Sequence, residues 1–163
     1  MKPVMLATDG SPTAVEATTT AVELAHLLGT DLVIVTAWDV QYGAYNAMGF
    51  APVPTNGEFA KLGEEQARKI AAEAAARAEE AGVETRSVVL RGFPVEEICI
   101  AAENFRPRFL VIGSHGWGAV KRALFGSVST GVLHHAKCPV LVVRGDTTET
   151  EAAVERAREK VPA

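Results

Sequence analysis

Five short apolar segments, separated by stretches of helical periodicity, form the main pattern along the chain. They are Pro3–Thr8, Asp31–Trp38, Val83–Leu90, Phe109–Ile112 and Pro139–Val143. The runs LVIV, FLVI and VLVV in three of these segments are rich in β-branched residues and show no alternation of apolar with polar positions. Such runs are typical of parallel strands that are buried on both faces. The sequence therefore predicts a five-stranded parallel sheet.

Four stretches between these segments carry apolar residues at helical spacing. In the first, Ser11 is a candidate N-cap before Pro12, Gly29 is a candidate terminator, and one face holds Val15, Thr18, Val22, Ala25 and Leu28. The others are residues 58–81 with a narrow alanine stripe, a helix that begins at Pro94 behind the non-capping Phe93, and Ser127–His135. Because strand and helix alternate, the predicted fold class is α/β, doubly wound, with helices on both faces.

Two segments fall outside this alternation. Residues 41–57 are rich in glycine, proline and aromatic residues. They are either a functional flap, with Tyr42, Tyr45 and Phe50 over a bound base, or a loop packed on its own aromatics. Residues 146–163 form a C-terminal tail in which Thr148 and Glu151 can make a capping box. Its apolar face is thin, so we expect a tail that is helical or frayed, outside a single domain at residues 1–145.

Composition and charge exclude several classes of protein. The net charge is −4, and lysine and arginine are scattered along the 163 residues instead of forming a basic cluster. We therefore expect no nucleic-acid partner. No apolar run approaches the roughly 20 residues of a membrane-spanning helix. No charged leader with an apolar stretch precedes the first strand. We therefore expect a cytoplasmic protein, in which Cys99 and Cys138 are small interior residues rather than a redox pair.

A cluster of glycines follows the fourth predicted strand. Gly113 and Gly116 come first, nine residues intervene, and Gly126 then precedes Ser127 at the start of the last helix. In an open parallel sheet, ligands bind outside the carboxyl ends of the strands. A helix N-terminus offers unpaired amides to an anion, and the lack of Cβ atoms lets phosphate oxygens approach the backbone. Although isolated glycines usually serve turns or close packing, this spacing favours a phosphate-binding site.

The same spacing is the nucleotide-binding signature of the universal stress protein family. The chain resembles that family over residues 2–144, including the first strand VMLATDGS and the last element HHAKCPVLVVR. The resemblance implies a flavodoxin-like sheet in the order 3-2-1-4-5 that binds ATP, with Mg²⁺ on the phosphates. It places the phosphates at Gly113, Gly116, Gly126, Ser127 and Val128, and the ribose and adenine near Ala7, Thr8, Asp9, Ala37 and Ile112. Phe93 and Arg108 depart from the family, which commonly has a polar cap and an aspartate there.

Other phosphate-binding and catalytic patterns fit less well. A Walker P-loop lacks its lysine here, and the turn after the first strand has a single glycine instead of a dinucleotide fingerprint. A flavin module would use the hydroxyls of Thr8, Ser11 and Thr13 but leaves the later glycines unexplained. Ser114 and His115 are adjacent, and neighbours at a turn seldom face each other, so we expect no catalytic pair. Histidines 134 and 135 project in different directions and predict no metal site from protein alone.

Binding is therefore a better interpretation than catalysis. No catalytic residue is predicted, and any ATP hydrolysis or autokinase activity is expected to be slow, since apart from Asp9 no candidate base is evident. Lys121 and Arg122 either neutralise phosphate or lie on a solvated surface. The last strand, residues 139–144, is an apolar edge that predicts a homodimer. A nucleotide-independent dimeric scaffold that binds an unknown protein partner remains the alternative.

Overall fold

The computed structural model describes residues 1–39, 57–116 and 125–145. Within these ranges the strands are β1 (Val4–Ala7), β2 (Leu32–Trp38), β3 (Thr85–Arg91), β4 (Phe109–Gly113) and β5 (Val140–Val143). The helices there are α1 (Pro12–Leu28), α2 (Gly57–Glu80), α3 (Pro94–Phe105) and α4 (Ser127–His135). Strand and helix alternate along the chain, as the hydrophobic pattern predicts. The predicted features of residues 41–56 and of the tail, including their aromatic and capping residues, lie outside the described residues.

All the strands pair in parallel in one sheet, in the order β3-β2-β1-β4-β5. This confirms the α/β class and the strand order that the family resemblance implies. The central strand β1 pairs Ala7 with Val35 of β2 on one side and with Ile112 of β4 on the other. The winding direction reverses between β1 and β4, so a crevice is expected at the carboxyl ends of these two strands.

Two apolar cores cover the two faces of the sheet. One core packs α1 and α2 onto the sheet around Leu6 and Ile34, and its helical side is built mainly from small residues such as Ala17, Ala21, Ala71 and Ala78. The other core packs α3 and α4 onto the opposite face around Met5 and Leu110. Alanine lets a helix lie close to a sheet, which places the N-terminal turn of α1 directly against the end of β4.

Three local predictions differ from the structure. The buried face of α1 includes Ala14, Ala17 and Ala21, whereas Val15 is only half-buried, because the smaller residues face the sheet. The strand β3 begins at Thr85, two residues later than predicted. The run VLVV of β5 is not buried on both faces, and Leu141 is 39% exposed, because β5 lies at the edge of the sheet.

The two edges of the sheet have different surfaces. The outer strand β3 has the sequence TRSVVLR, with Arg86, Ser87 and Arg91 exposed. Arg91 also lies over the ring of Trp38, with its Cζ atom 5.5 Å from the ring centroid. At the other edge, β5 consists of valine and leucine alone. Charged side chains discourage further strand pairing, so β3 is the less favourable of the two edges for pairing with another strand.

Both cysteines are free thiols that are partly exposed. Burial is the main cause that raises the pKa of the Cys99 thiol, and the neighbouring Cys138 raises the same pKa further. Burial likewise raises the pKa of Cys138, whose side chain packs against the second core. A raised pKa lowers the thiolate fraction at neutral pH, which agrees with the predicted packing role for these residues.

A buried hydroxyl in β2 has no hydrogen-bond partner among the described residues: Thr36 is 2% exposed, and its Oγ1 atom is unpaired. We expect Thr36→Val to raise the free energy of unfolding by about 1 kcal/mol, since it removes the desolvation cost at nearly constant shape. Chemical denaturation checks this. The matched control is Thr18→Val, because the equally buried Thr18 hydroxyl donates to the Ala14 carbonyl at 2.8 Å. Removal of this bonded hydroxyl should not raise the free energy of unfolding. A destabilised Thr36→Val protein contradicts the prediction.

Within the ranges that the structure describes, none of the helices combines the length and the apolar character that crossing a membrane requires.

Candidate functional site

The two halves of the glycine motif meet at the carboxyl edge of the sheet. The Gly126 amide donates a hydrogen bond to the Ser114 carbonyl at 2.7 Å. A Cβ atom placed on Gly126 would lie 3.7 Å from the amide nitrogen of Gly116. The hydroxyl of Ser129 also donates to the Ser114 carbonyl, at 2.9 Å. The start of α4 is therefore fixed beside the turn that follows β4.

The three glycines of the motif are required for different reasons. A Cβ atom on Gly113 would lie 2.9 Å from backbone atoms of Thr13 and Ala14, so this glycine permits the close packing of α1 on β4. A Cβ atom on Gly116 would lie 2.5 Å from the Asp9 carboxylate. A Cβ atom on Gly126 would lie 3.4 Å from its nearest neighbours, which is an ordinary contact distance. Packing thus accounts for Gly113, while Gly116 and Gly126 line the surface between Asp9 and α4.

The N-terminus of α4 has the properties of an anion site. Its N-cap residue is Gly126, which has no side chain that could cap the first turn. Ser127 is exposed and Val128 half-buried. A helix start presents backbone amides and about half a positive charge. Because the Gly126 amide donates to Ser114, an anion at this helix start would have to use the amides of the turn that follows Gly126.

The end of β1 supplies the acidic side of the site. Ala7 and Ile112 are paired neighbours and are 3% and 6% exposed, so their side chains belong to the core. Thr8 is also buried, and its hydroxyl accepts from the Gly10 amide at 3.3 Å. The Asp9 carboxylate follows, and its Oδ1 atom accepts from the Ser11 amide at 3.0 Å. A Cβ atom on Gly116 would lie 2.5 Å from this carboxylate, so the structure brings Asp9 next to Gly116.

Ala37 reaches the same edge of the sheet by a different strand. Ala7 pairs with Val35, so Ala37 extends two residues beyond the end of β1, or about 7 Å at 3.3 Å per residue. It pairs with Leu90 of β3 and packs against the second core. Its backbone therefore lies at the carboxyl edge but is separated from the glycine motif by β1.

Two hydroxyls of the α1 N-terminus hold the turn after β4. The hydroxyls of Ser11 and Thr13 both donate to the carbonyl of His115, the former at 3.2 Å. The expectation that the Ser11 side chain caps α1 is therefore wrong, and no side-chain hydrogen bond caps that helix at its N-cap. The flavin-type use of these hydroxyls is also disfavoured, because they are engaged with His115.

The expectation that Ser114 and His115 do not face each other is wrong as well. The Oγ atom of Ser114 lies 3.0 Å from Nδ1 of His115. Ser114 is only 1% exposed, however, and its amide donates to Val143 of β5 at 2.7 Å. A buried hydroxyl on a fixed backbone is poorly placed to attack a substrate. This burial disfavours a role for Ser114 as a nucleophile.

Sequence reasoning missed the contacts that hold the site together. It considered Ser11, Thr13 and Ser114 for other roles, and it did not single out Ser129, which lies in the first turn of α4. Lys121 and Arg122, both considered as phosphate-neutralising residues, lie outside the described residues. Within the described ranges, no group of three or more His, Cys, Asp or Glu side chains is arranged to hold a metal ion.

Comparison with known proteins gives relatives along nearly the whole chain. A universal stress protein of Thermus aquaticus is 35% identical, over 88% of this chain and 98% of its own length. The matched mycobacterial universal stress proteins are longer, and the chain spans about 45% of their length.

Solved structures give the same result. The hypothetical protein MJ0577 superposes with a TM-score of 0.74 at 26% identity, over 90% of this chain and 98% of that one. A universal stress protein in complex with cAMP superposes with a TM-score of 0.64 at 26% identity, over 88% and 96% of the two chains. The model of the universal stress protein family matches residues 1–144. On these matches, and on the strand order that agrees with them, the chain belongs to the universal stress protein family.

Proposed function

We propose that this protein binds an adenine nucleotide, with Mg²⁺-bound ATP as the physiological ligand, and that binding serves a regulatory role in a stress response. The observation that carries the proposal is the start of α4, whose N-cap is a glycine and which the Gly126 to Ser114 hydrogen bond fixes beside Gly116. The cAMP that is bound to a solved relative at 26% identity supports the choice of ligand class.

The chemistry of the residues fits a nucleotide with a bound cation. The first-turn amides of α4, at Ser127 and Val128, would bind the phosphates together with Gly116 and the Ser127 hydroxyl. The Asp9 carboxylate lies against Gly116 and would repel a bare phosphate, but it would accept a hydrogen bond from a ribose hydroxyl or face Mg²⁺. Backbone groups of Thr8 and Ala37, at the ends of β1 and β2, would contact the ribose and adenine. When bound, Mg²⁺ neutralises charge on the phosphates.

Calorimetric titration with ATP, ADP, AMP and cAMP, each with and without Mg²⁺, tests the proposal. We expect ATP to bind more tightly with Mg²⁺ than without it, because the cation offsets repulsion by Asp9. Nucleotide released from freshly purified protein on denaturation distinguishes a binding protein from a nucleotide-independent scaffold. Absence of binding to all four ligands at millimolar concentration, in a folded protein, contradicts the proposal.

We also propose that the protein turns over ATP slowly, if at all, and acts in the cytoplasm. The free thiols Cys99 and Cys138 suit a reducing compartment. Regulation then depends on occupancy of the site rather than on a product. Phosphate release under saturating Mg-ATP, compared with that of a Gly126→Trp variant, measures any residual hydrolysis.

The homodimer proposed through residues 139–144 rests on the apolar edge strand β5. Leu141 is 39% exposed and sits in the middle of that strand. We expect Leu141→Arg to weaken dimerisation by about tenfold or more, since a charge at a strand edge opposes pairing. The matched control is Leu27→Arg, at an 81% exposed site on α1. Light scattering across a dilution series measures both, and a wild-type monomer at high micromolar concentration contradicts the proposal.

A further inference from the structure

The side chain of Thr13 contacts two segments that lie more than 100 residues away in the sequence. Its hydroxyl donates to the His115 carbonyl, in the turn after β4, and accepts from the His115 amide at 3.4 Å. Its methyl carbon would lie 3.0 Å from a Cβ atom on Gly145, just beyond β5. One hydroxyl therefore pairs with both backbone groups of His115, while the methyl group packs against a different strand end.

This pairing determines the direction of the next peptide group. In a trans peptide, the carbonyl of one residue and the amide of the following residue point in opposite directions. The His115 carbonyl is directed at α1, where the Ser11 hydroxyl also donates to it at 3.2 Å. The Gly116 amide must therefore point away from α1. Its nitrogen lies on the side of Gly126, 3.7 Å from the position of a Cβ atom there.

From this geometry we infer that Thr13, with Ser11 in support, is a positioning residue that aims the Gly116 amide at the phosphate of a bound nucleotide. The inference rests on the proposed function. Thr13 makes no contact with the ligand and acts through His115. Without its hydroxyl, the peptide between His115 and Gly116 would sample other orientations, and each binding event would have to order it again. A preorganised donor removes that cost.

The two functional groups of Thr13 can be removed one at a time. Thr13→Val keeps the methyl contact with Gly145 and deletes the hydroxyl, whereas Thr13→Ser keeps the hydroxyl and deletes the methyl. Thr19→Val is the matched control, because Thr19 is an exposed residue of the same helix whose hydroxyl donates to the Val15 carbonyl of its own turn at 3.4 Å. The AMP and Mg-ATP affinities of the four proteins are measured by calorimetry. Hydrogen exchange of the His115 amide, which donates to the Thr13 hydroxyl, is followed by NMR without ligand.

We expect Thr13→Val to weaken AMP and Mg-ATP binding by about tenfold, the value of one well-formed hydrogen bond. Thr13→Ser should restore the affinity to within about twofold of wild type, and Thr19→Val should not change it. A purely structural role predicts instead that both Thr13 variants lose melting temperature and that neither selectively loses affinity. Wild-type affinity in a folded Thr13→Val protein overturns the inference.

The exchange measurement separates this inference from the proposed function. If wild type binds no nucleotide, the proposed function fails, and the exchange rate still reports on the turn. We expect His115 exchange to be at least about tenfold faster in Thr13→Val than in wild type or Thr13→Ser, because the His115 amide loses its acceptor. Equal exchange rates in all four proteins show that the hydroxyl does not anchor the His115 backbone and overturn the inference by themselves.

Discussion

Replacement of Gly113 by valine is expected to lower the free energy of unfolding by about 3 kcal/mol or more. Gly113 is the last residue of β4, and a Cβ atom there would lie 2.9 Å from the Ala14 amide nitrogen and from the Thr13 carbonyl group. These are backbone atoms of a helix that is packed along its length on the sheet, so they cannot move independently. The whole N-terminal turn of α1 has to shift, and the buried residues Ala14 and Ala17 lose contact with β4.

The control is Gly126→Ala, in the same motif. Gly126 has φ −71, which any residue adopts, and its nearest neighbours would be 3.4 Å from a new Cβ atom. We expect its unfolding free energy to change by no more than about 1 kcal/mol. Thermal unfolding should show a drop of about 6–12 °C for Gly113→Val and a few degrees at most for Gly126→Ala. Equal melting temperatures would mean that close packing does not explain Gly113.

Replacement of Ser127 by aspartate is expected to reduce affinity for phosphorylated nucleotides by about 30-fold while leaving the protein as stable or slightly more so. Ser127 is the exposed first residue of α4, which follows the N-cap Gly126. A carboxylate there interacts favourably with the helix dipole, worth about 0.3–1 kcal/mol, but repels a phosphate. An unfolding free energy that is unchanged or raised, together with a lowered nucleotide affinity, distinguishes an anion site from general damage to the fold.

Two comparisons make this result specific. Thr130→Asp adds the same charge at an exposed position three residues further along α4 and should reduce affinity much less. Adenosine carries no phosphate, so its affinity, where measurable, should be similar for wild type and Ser127→Asp. Calorimetry with ATP, AMP and adenosine provides the measurements. An equal loss for all three ligands would place the phosphates elsewhere.

The sheet was predictable because its signal is local. In the runs LVIV and FLVI every residue is apolar, so both faces of each strand are apolar and its burial follows from composition alone. The same rule failed for VLVV, since nothing within a strand tells whether a neighbour lies on each side of it. Edge position depends on strand order, which here came from the family resemblance and not from the residues of β5.

The site was predictable in outline and not in its supporting contacts. The glycine spacing predicts that the turn after β4 and the start of α4 meet, and the structure brings them together at Ser114 and Gly126. Ser11 has every local feature of an N-cap, yet its hydroxyl bonds to His115, 104 positions away. Gly113 illustrates the same limit, because a sequence shows that a side chain is missing but not which neighbour requires its absence.

The unequal borders of the sheet limit how these chains can polymerise. In the proposed dimer, two copies would join through the valine and leucine of β5, and the described edge left on each side would be the arginine-bearing strand β3. Charged side chains at that edge oppose the addition of a third chain, so we expect growth to stop at two copies, without a continuous ribbon of strands.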